Sequence, residues 1–291
     1  MATFTNRATL SYNGVATTSN MTTGELIENL IVSKTAINTV YTADDTVTYV
    51  ISLQNAGDAP RAALTVTDDL GTYAFGTGVL VPLSYVDGTA RYYINGTLQS
   101  GVDVTAGPPL VFTNISVPVG GSALLIYQAR INEYAPLAAG ASITNTVSAA
   151  GGDVFATAEE TVTVSAAADL SMCKALSPTS VSPGDTVTYT FTLQNSGNAA
   201  VTAADTTGLT DTFDPPLSGL VVTFNGTLWT QGTQYTYDEG SGLFTVASGY
   251  LTVPAATFAQ DETTGVVTVE PGVSTLVVTG NIGVDNTIEK H

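Results

Sequence analysis

Asp45-Thr-Val-Thr-Tyr-Val-Ile-Ser-Leu-Gln-Asn55 returns in the second half of the chain as Asp185-Thr-Val-Thr-Tyr-Thr-Phe-Thr-Leu-Gln-Asn195. Within each copy the apolar residues recur at every second position, as at Val47, Tyr49, Ile51 and Leu53, which is the period of a half-buried β-strand. The copies extend outward from this stretch. Lys34 in Leu30-Ile-Val-Ser-Lys34 and Lys174 in Leu170-Ser-Met-Cys-Lys174 stand at the same distance before their copies of the stretch. Gly57 and Gly197 follow the shared Gln-Asn. Farther on, Val66-Thr67-Asp68-Asp69-Leu70 is echoed by Leu209-Thr210-Asp211-Thr212-Phe213. Asn95-Gly-Thr-Leu98 is echoed by Asn225-Gly-Thr-Leu228, and Asn-Gly between two β runs signals a two-residue hairpin.

At 291 residues the chain has room for two domains of ordinary size. Many short alternating runs broken by Gly, Asn, Asp and Pro predict an all-β chain: two tandem immunoglobulin-like antiparallel β-sandwiches with an N-terminal donor strand or hairpin. The segmentation read from the repeat is 1–25 for the donor hairpin, 26–165 for the first sandwich and 166–291 for the second. Lys and Arg number 7 against 25 Asp and Glu, a formal charge of −18. That argues against nucleic acid and anionic membranes, which both recruit basic residues. With one Cys and one His, thiolate or imidazole metal sites lack ligands, and no cofactor is implied. No span of 18 apolar residues occurs, so no membrane crossing is expected. An N-terminal secretion signal is also missing. That leaves a processed or recombinant start, or release by lysis of a mother cell.

The two copies end differently. The first copy continues past Ser122-Ala-Leu-Leu-Ile-Tyr127 into Ala141-Ser-Ile-Thr-Asn145-Thr-Val-Ser and then Val154-Phe-Ala-Thr157. The second copy matches the former with Ser274-Thr-Leu-Val-Val-Thr279, Ser274 standing for Ser122, and is expected to lack the closing strands. The missing pattern stands at the start of the chain, where Phe4-Thr-Asn6-Arg-Ala8 matches Ile143-Thr-Asn145-Thr-Val147. Phe4, Asn6, Ala8, Leu10 and Tyr12 share one face by alternation, so this segment reads as a strand made for a core. If Val15 to Thr23 returns as its hairpin partner, the short link 24–29 reaches only about 20 Å, too little to cross a sandwich to the second domain of the same chain. Donation to a neighbouring subunit follows as the expectation. A closed swapped dimer is the alternative, whereas heterologous contacts that do not close a ring continue into filaments.

Taken together, the Lys of the opening strand, Asp-Thr-Val-Thr-Tyr with Gln-Asn-x-Gly, the Thr-Asp ending a middle strand and Ile-Thr-Asn-Thr resemble the bacterial surface repeat called domain of unknown function eleven. The resemblance covers roughly residues 26 to 286. It implies immunoglobulin-like sandwiches of extracellular stalks, adhesins and cell-wall proteins, although the short ending and the absence of a sorting signal or wall-binding module depart from a wall-anchored stalk.

Three polar residues fall on apolar faces. Lys34 alternates with Leu30, Val32 and Ala36, Asp68 with Leu64 and Val66, and Asn145 lies between Ile143 and Val147. Lys174, Asp211 and Asn6 repeat the set. Desolvation disfavours a charged Lys–Asp pair and promotes the neutral one, and a neutral amine beside a carboxamide is a nucleophile that an Asp can assist. A Lys–Asn isopeptide bond with loss of ammonia would result, resembling the self-formed cross-links of Gram-positive pilin domains. It would lie within domain 1 for Lys34 and Asn145, with Asp68 promoting it, and between subunits for Lys174 and Asn6, with Asp211. The alternative is an ion pair hydrogen-bonded to Asn with no bond formed. Acidic pairs such as Asp44-Asp45 and Asp68-Asp69 lack an EF-hand spacing and read as solvated strand ends. Cys173 faces outward by phase, and Trp229, Tyr235 and Tyr237 read as cross-strand pairs rather than a carbohydrate platform.

The leading function is a structural subunit of an extracellular filament on a cell or spore surface, pilus-like or a spore appendage. Its expected partners are identical subunits, with no nucleic acid and no membrane span. The competing readings are a ligand-binding adhesin or stalk module and a segment of a longer repeat array. An enzyme is not expected from a chain with no catalytic His or Cys and no phosphate loop.

Overall fold

Strand alternation organises the chain. The structure, a computed structural model, describes residues 2–26, 30–152 and 154–283. The chain divides into two compact units, one of Met1–Pro136 with Ser142–Thr163 and one of Leu137–Ala141 with Val164–His291. The two pairings of the repeated stretch in each unit are antiparallel, and a single 3-10 turn, Ala203–Asp205, is the one helical element among the described residues. Among the described residues no helix is long and apolar enough to cross a membrane.

The first unit is an immunoglobulin-like sandwich of two sheets. In one, the order is Thr97–Leu98, Arg91–Ile94, Ser122–Ile131, Thr46–Asn55 and Leu30–Ala36. The repeated stretch is its spine: Val47, Tyr49, Ile51 and Leu53 are buried and their neighbours are not. The opposing sheet runs Asp103–Thr105, Leu110–Val117, Arg61–Asp68, Ser142–Gly151, Val154–Val164 and Val40–Tyr41. Its inward residues Leu64, Val66, Phe112, Ile143 and Val147 complete the core.

The second unit builds its main sheet from Leu170–Ser177, Thr186–Asn195, Gly272–Ile282, Leu217–Phe224 and Thr227–Leu228, opposed by Thr210–Thr212, Leu243–Val246 and Tyr235–Asp238. Its core is aromatic, with Phe191, Phe213, Phe244, Trp229, Tyr235 and Tyr237 buried together. Trp229 stacks on Phe224 at 5.0 Å between ring centroids, so these aromatics fill the interior and present no platform to a sugar. Ser274 pairs with Leu193, the place that Ala123 takes opposite Leu53. Measured against the facing strand, Ser274 is therefore the counterpart of Ala123 and not of Ser122, a slip that the similar Ser-x-Leu openings concealed.

The Gln-Asn-x-Gly motif has a structural cause. The buried Asn55 donates from Nδ2 to the carbonyls of Ala59 at 2.8 Å and Val117 at 3.2 Å, and its Oδ1 accepts from Gly57 N at 3.0 Å. Asn195 repeats this with Ala199 at 2.7 Å, Pro254 at 3.0 Å and Gly197 N at 3.0 Å. One amide thus staples the end of a central strand to the opposite sheet. Both Asn-Gly hairpins have positive φ at each central residue, 47° and 79° at Asn95-Gly96 and 47° and 78° at Asn225-Gly226, the geometry of a type I′ turn.

Residues 2–26 form a separate hairpin, turning at Asn13 (φ 50°) and Gly14 (φ 81°). The single strand expected over Phe4 to Tyr12 is in fact two, Ala2–Asn6 pairing Thr22–Leu26 and Thr9–Tyr12 pairing Val15–Thr18. Asn6 stands opposite Thr22 and Thr9 opposite Thr18, so the return strand carries one more residue between these pairs than the outgoing one. Ser19 closes this bulge, donating from N to Ala8 O at 2.8 Å and accepting from Ala8 N on Oγ at 3.0 Å. Because the extra residue lies on the return strand, the period of two carries through Phe4, Asn6, Ala8, Leu10 and Tyr12. Phe4, Leu10, Tyr12 and Val15 are all exposed.

Replacing Asn55 by Ala removes its hydrogen bonds to the following loop and to the opposite sheet and leaves the carbonyls of Ala59 and Val117 without this donor. The first unit should lose about 3 kcal/mol of unfolding free energy in denaturant titration. A loss below about 1 kcal/mol would mean that the staple is dispensable.

Candidate functional site

Lys34 arrives from the edge strand of one sheet and Asp68 from the end of a central strand of the other. Lys34 Nζ lies 2.5 Å from Asp68 Oδ2, with both side chains fully shielded from solvent. Tyr127 Oη donates to the same Oδ2 at 2.7 Å, and Leu70 N donates to Oδ1 at 3.1 Å. Asn145 sits on the neighbouring strand, where Val147 pairs with Asp68. Its Nδ2 donates to Tyr127 Oη at 3.1 Å, and its Oδ1 accepts from Gly71 N at 3.2 Å. The sequence-derived trio is therefore gathered in one buried cluster, with Tyr127 bridging Asp68 and Asn145.

Local backbone explains the aim of these groups. Leu70 and Gly71 have φ of 56° and 74°, an unusual pair of left-handed residues that turns two successive N–H groups back onto Asp68 and Asn145. A Cβ at Gly71 would lie 2.5 Å from Cγ2 of Ile143, so glycine is required both by conformation and by the approach of the Asn145 strand. Tyr49 stacks on Tyr127 at 5.5 Å, and Lys34 Nζ lies 4.9 Å from the centre of the Tyr49 ring.

Burial pushes the Lys34 amine below its ordinary value, opposed by the charge and hydrogen bond of Asp68 and by the charges of Asp69 and Glu160. Burial raises the Tyr49 and Tyr127 hydroxyls above theirs, with Asp68 adding to both, and raises Tyr41 as well. The cluster thus gathers an amine held toward its neutral form, a carboxamide whose oxygen accepts from a backbone N–H, and a hydroxyl between the amide nitrogen and a carboxyl.

The second unit holds half of this arrangement, open to water. Lys174 Nζ lies 2.5 Å from Asp211 Oδ2, but the side chains are 38% and 18% exposed. The amine stands over Tyr189 at 4.7 Å, Phe191 at 5.3 Å and Phe213 at 5.4 Å. Where the first unit pairs Tyr49 with Tyr127, the second pairs Tyr189 with Val278, so its sheet supplies no bridging tyrosine. The strand Leu170–Ser177 is exposed along its whole length, Cys173 included. The Asp211 strand pairs with Leu243–Val246 on one side and has no strand on the other among the described residues. An apolar cavity of about 310 Å³ lies in the gap, lined by Leu170, Met172, Leu193, Leu209, Leu251 and Val253 among others.

Asn6 and the donor residues Phe4, Ala8, Leu10 and Tyr12 lie exposed on the hairpin. Tyr127 and Tyr49 escaped the sequence reading, though phase could have found them: each alternates with buried apolar residues, and Tyr49 belongs to the repeated stretch. No group of three or more His, Cys, Asp or Glu among the described residues is placed to hold a metal.

No family model matches the chain, so the expected surface-repeat family finds no support there. No curated protein matches it either. Among solved structures, the pilus backbone protein RrgB of Streptococcus pneumoniae matches at 11% identity and a TM-score of 0.33, over 83% of this chain and 55% of that one. The chain thus spans about half the length of that protein. Domains D2 and D3 of the major pilin SpaD of Corynebacterium diphtheriae match at 12% identity and 0.35, over 82% and 88%. A collagen-binding adhesin domain of Staphylococcus aureus matches at 11% identity and 0.29, over 48% and 99%. Likeness at this level carries nothing about what the present chain does, and the function is argued from its own residues.

Removing one partner of the buried pair strands the other. Lys34→Met should destabilise the first unit by about 3–5 kcal/mol, whereas Lys174→Met in the isolated chain should change stability by less than about 1 kcal/mol. Equal effects in calorimetry would contradict the difference in burial. The pH response has two opposing parts. Between the lowered Lys34 value and about 10.5 the unfolded chain binds more protons, so stability rises with pH there. Above about pH 10 the unfolded tyrosines lose protons that the folded ones keep, so Tyr41, Tyr49 and Tyr127 make stability fall as pH climbs further. Melting temperature against pH should turn downward at that point, with tyrosinate absorbance appearing only as the unit unfolds.

Proposed function

We propose that the chain is a structural subunit of an extracellular filament, assembled head-to-tail as the hairpin of one copy completes the second sandwich of the next. The observation that carries this reading is the contrast between the two units. In the first, the strand Ser142–Gly151 pairs with the Asp68 strand and shields Lys34, whereas in the second the equivalent edge and floor are open. An unpaired edge above an apolar floor is an aggregation hazard unless filled. Strand addition fills it with main-chain hydrogen bonds and alternate side chains.

The hairpin reproduces the occupant of the first unit. With Asn6 taking the place of Asn145, Tyr12 pairs with Val15 as Gly151 pairs with Val154. Ala8 then falls opposite Asp211 as Val147 does opposite Asp68. The polymer so formed is a homopolymer of identical subunits, and a surface location on a cell or spore fits it. A segment following in a longer array is the rival occupant.

Within the first unit the cluster supports an isopeptide bond. The neutral Lys34 amine adds to Cγ of Asn145, the bond to Nδ2 breaks, and ammonia leaves. The amine proton passes to the Asp68 carboxyl as the carboxyl's own proton passes through Tyr127 to the departing nitrogen. Gly71 N–H donates to Oδ1 and stabilises the charge that develops there. In the second unit, Asn6 of the incoming hairpin would meet Lys174 and Asp211 without the tyrosine bridge.

Electron microscopy of the purified chain should show fibres, and deletion of residues 1–26 should abolish them. Fibres from the deleted chain would overturn strand donation by this hairpin. Intact mass should fall short of the sequence mass by one ammonia, restored in Lys34→Met, while a full-length mass at equilibrium would reduce the first cluster to an ion pair.

A further inference from the structure

The apolar cavity of the second unit lies at one end of the open groove, between the strand bearing Leu170 and Met172 and the segment Thr207–Thr210. Its counterpart in the first unit can be placed residue by residue. Ala63 and Thr206, both non-glycine residues with left-handed φ of 54° and 49°, stand equally far before Asp68 and Asp211. Leu64 therefore corresponds to Thr207 and Val66 to Leu209. In the first unit this end of the groove is closed. Ala149 pairs opposite Val66, and at the next inward position Gly151 lies so near the Leu64 side that an added Cβ would come within 2.9 Å of Cδ2 and 3.3 Å of Cα. Only the smallest residues fit there.

The hairpin has its bulk at this end. Leu10 and Tyr12 occupy the positions of Ala149 and Gly151, while Ala8 replaces the larger Val147 nearer the ion pair. The acceptor has changed in the opposite sense, Thr207 standing where Leu64 narrows the first groove, and the cavity of about 310 Å³ left beside the unpaired strand includes Thr207 in its lining. Resting on the strand-donation reading, we infer that this cavity is the socket for Leu10 and Tyr12 of a second copy of the chain. The same size exchange directs the hairpin to the second sandwich and excludes it from the first. A hairpin entering the first groove would drive Tyr12 into Leu64. A strand with Ala and Gly at these positions, placed in the second groove, would leave the cavity empty, and unfilled apolar volume is destabilising. Specificity thus arises from a clash on one side and a void on the other.

A synthetic hairpin of residues 2–20 added to the full-length chain should cap the second sandwich and stop fibre growth, read by light scattering. The same peptide carrying Leu10→Ala and Tyr12→Gly should need at least tenfold more for equal inhibition. In the full chain, Thr207→Leu should slow assembly with the native hairpin and restore assembly when combined with Leu10→Ala and Tyr12→Gly. Equal inhibition by the two peptides would overturn the socket even where deletion of residues 1–26 abolishes fibres. Fibres that survive that deletion would remove the donation reading, and the socket with it.

Discussion

Every strand that roofs a core has two rows of backbone N–H and C=O groups, and a row left without partners next to apolar side chains has to be either paired or hydrated. The Asp68 strand is paired on both sides, by Leu110–Val117 and Ser142–Gly151. The Asp211 strand is paired on one. From that single difference follow the exposure of Leu170 and Met172, the water around Lys174, and the cavity below them. The same residue types give a sealed ion pair in one unit and an open one in the other, because what sets their environment is the neighbouring strand.

The charge cluster illustrates the balance. A lysine and an aspartate without water are costly in isolation, and the first unit offsets this with hydrogen bonds from Tyr127 and Leu70 to Asp68 and with the Tyr49 face beneath the amine. Such a network orders the groups it contains. It also places a nucleophile, a carboxamide and a route for protons together. In the second unit the amine rests on three aromatic rings, a surface that holds the lysine in place while leaving one side free for an approaching strand.

The sandwich class, the Asn-Gly hairpins and the Lys34–Asp68–Asn145 cluster were all legible in the sequence, because each rests on a period of two or on a turn whose chemistry is local. What was not legible depended on distance. The roles of Asn55 and Asn195 as inter-sheet staples require knowing which carbonyls approach from Ala59 and Val117, and nothing in Gln-Asn-x-Gly names them. The Tyr127 bridge depends on strand register, which the resemblance of two Ser-x-Leu openings misplaced by a single position. The bulge at Ser19 lies in a run of Thr, Ser and Asn whose pattern gives no sign of an extra residue. Trp229, Tyr235 and Tyr237 could be resolved between platform and core only once Phe224 and Phe244 were seen against them.

The scarcity of basic residues acquires a meaning once the strands are in place. A digestive enzyme that cuts after Lys or Arg finds 7 such sites in the whole chain. Lys34 is sealed by the sandwich around it, so that site opens only if the first unit unfolds. Lys174 lies on a strand with one edge free and its side chain 38% exposed, and a strand laid along that groove would cover it. Joining would then withdraw Lys174 from attack, while Arg91 and Arg130 on the first unit stay exposed either way.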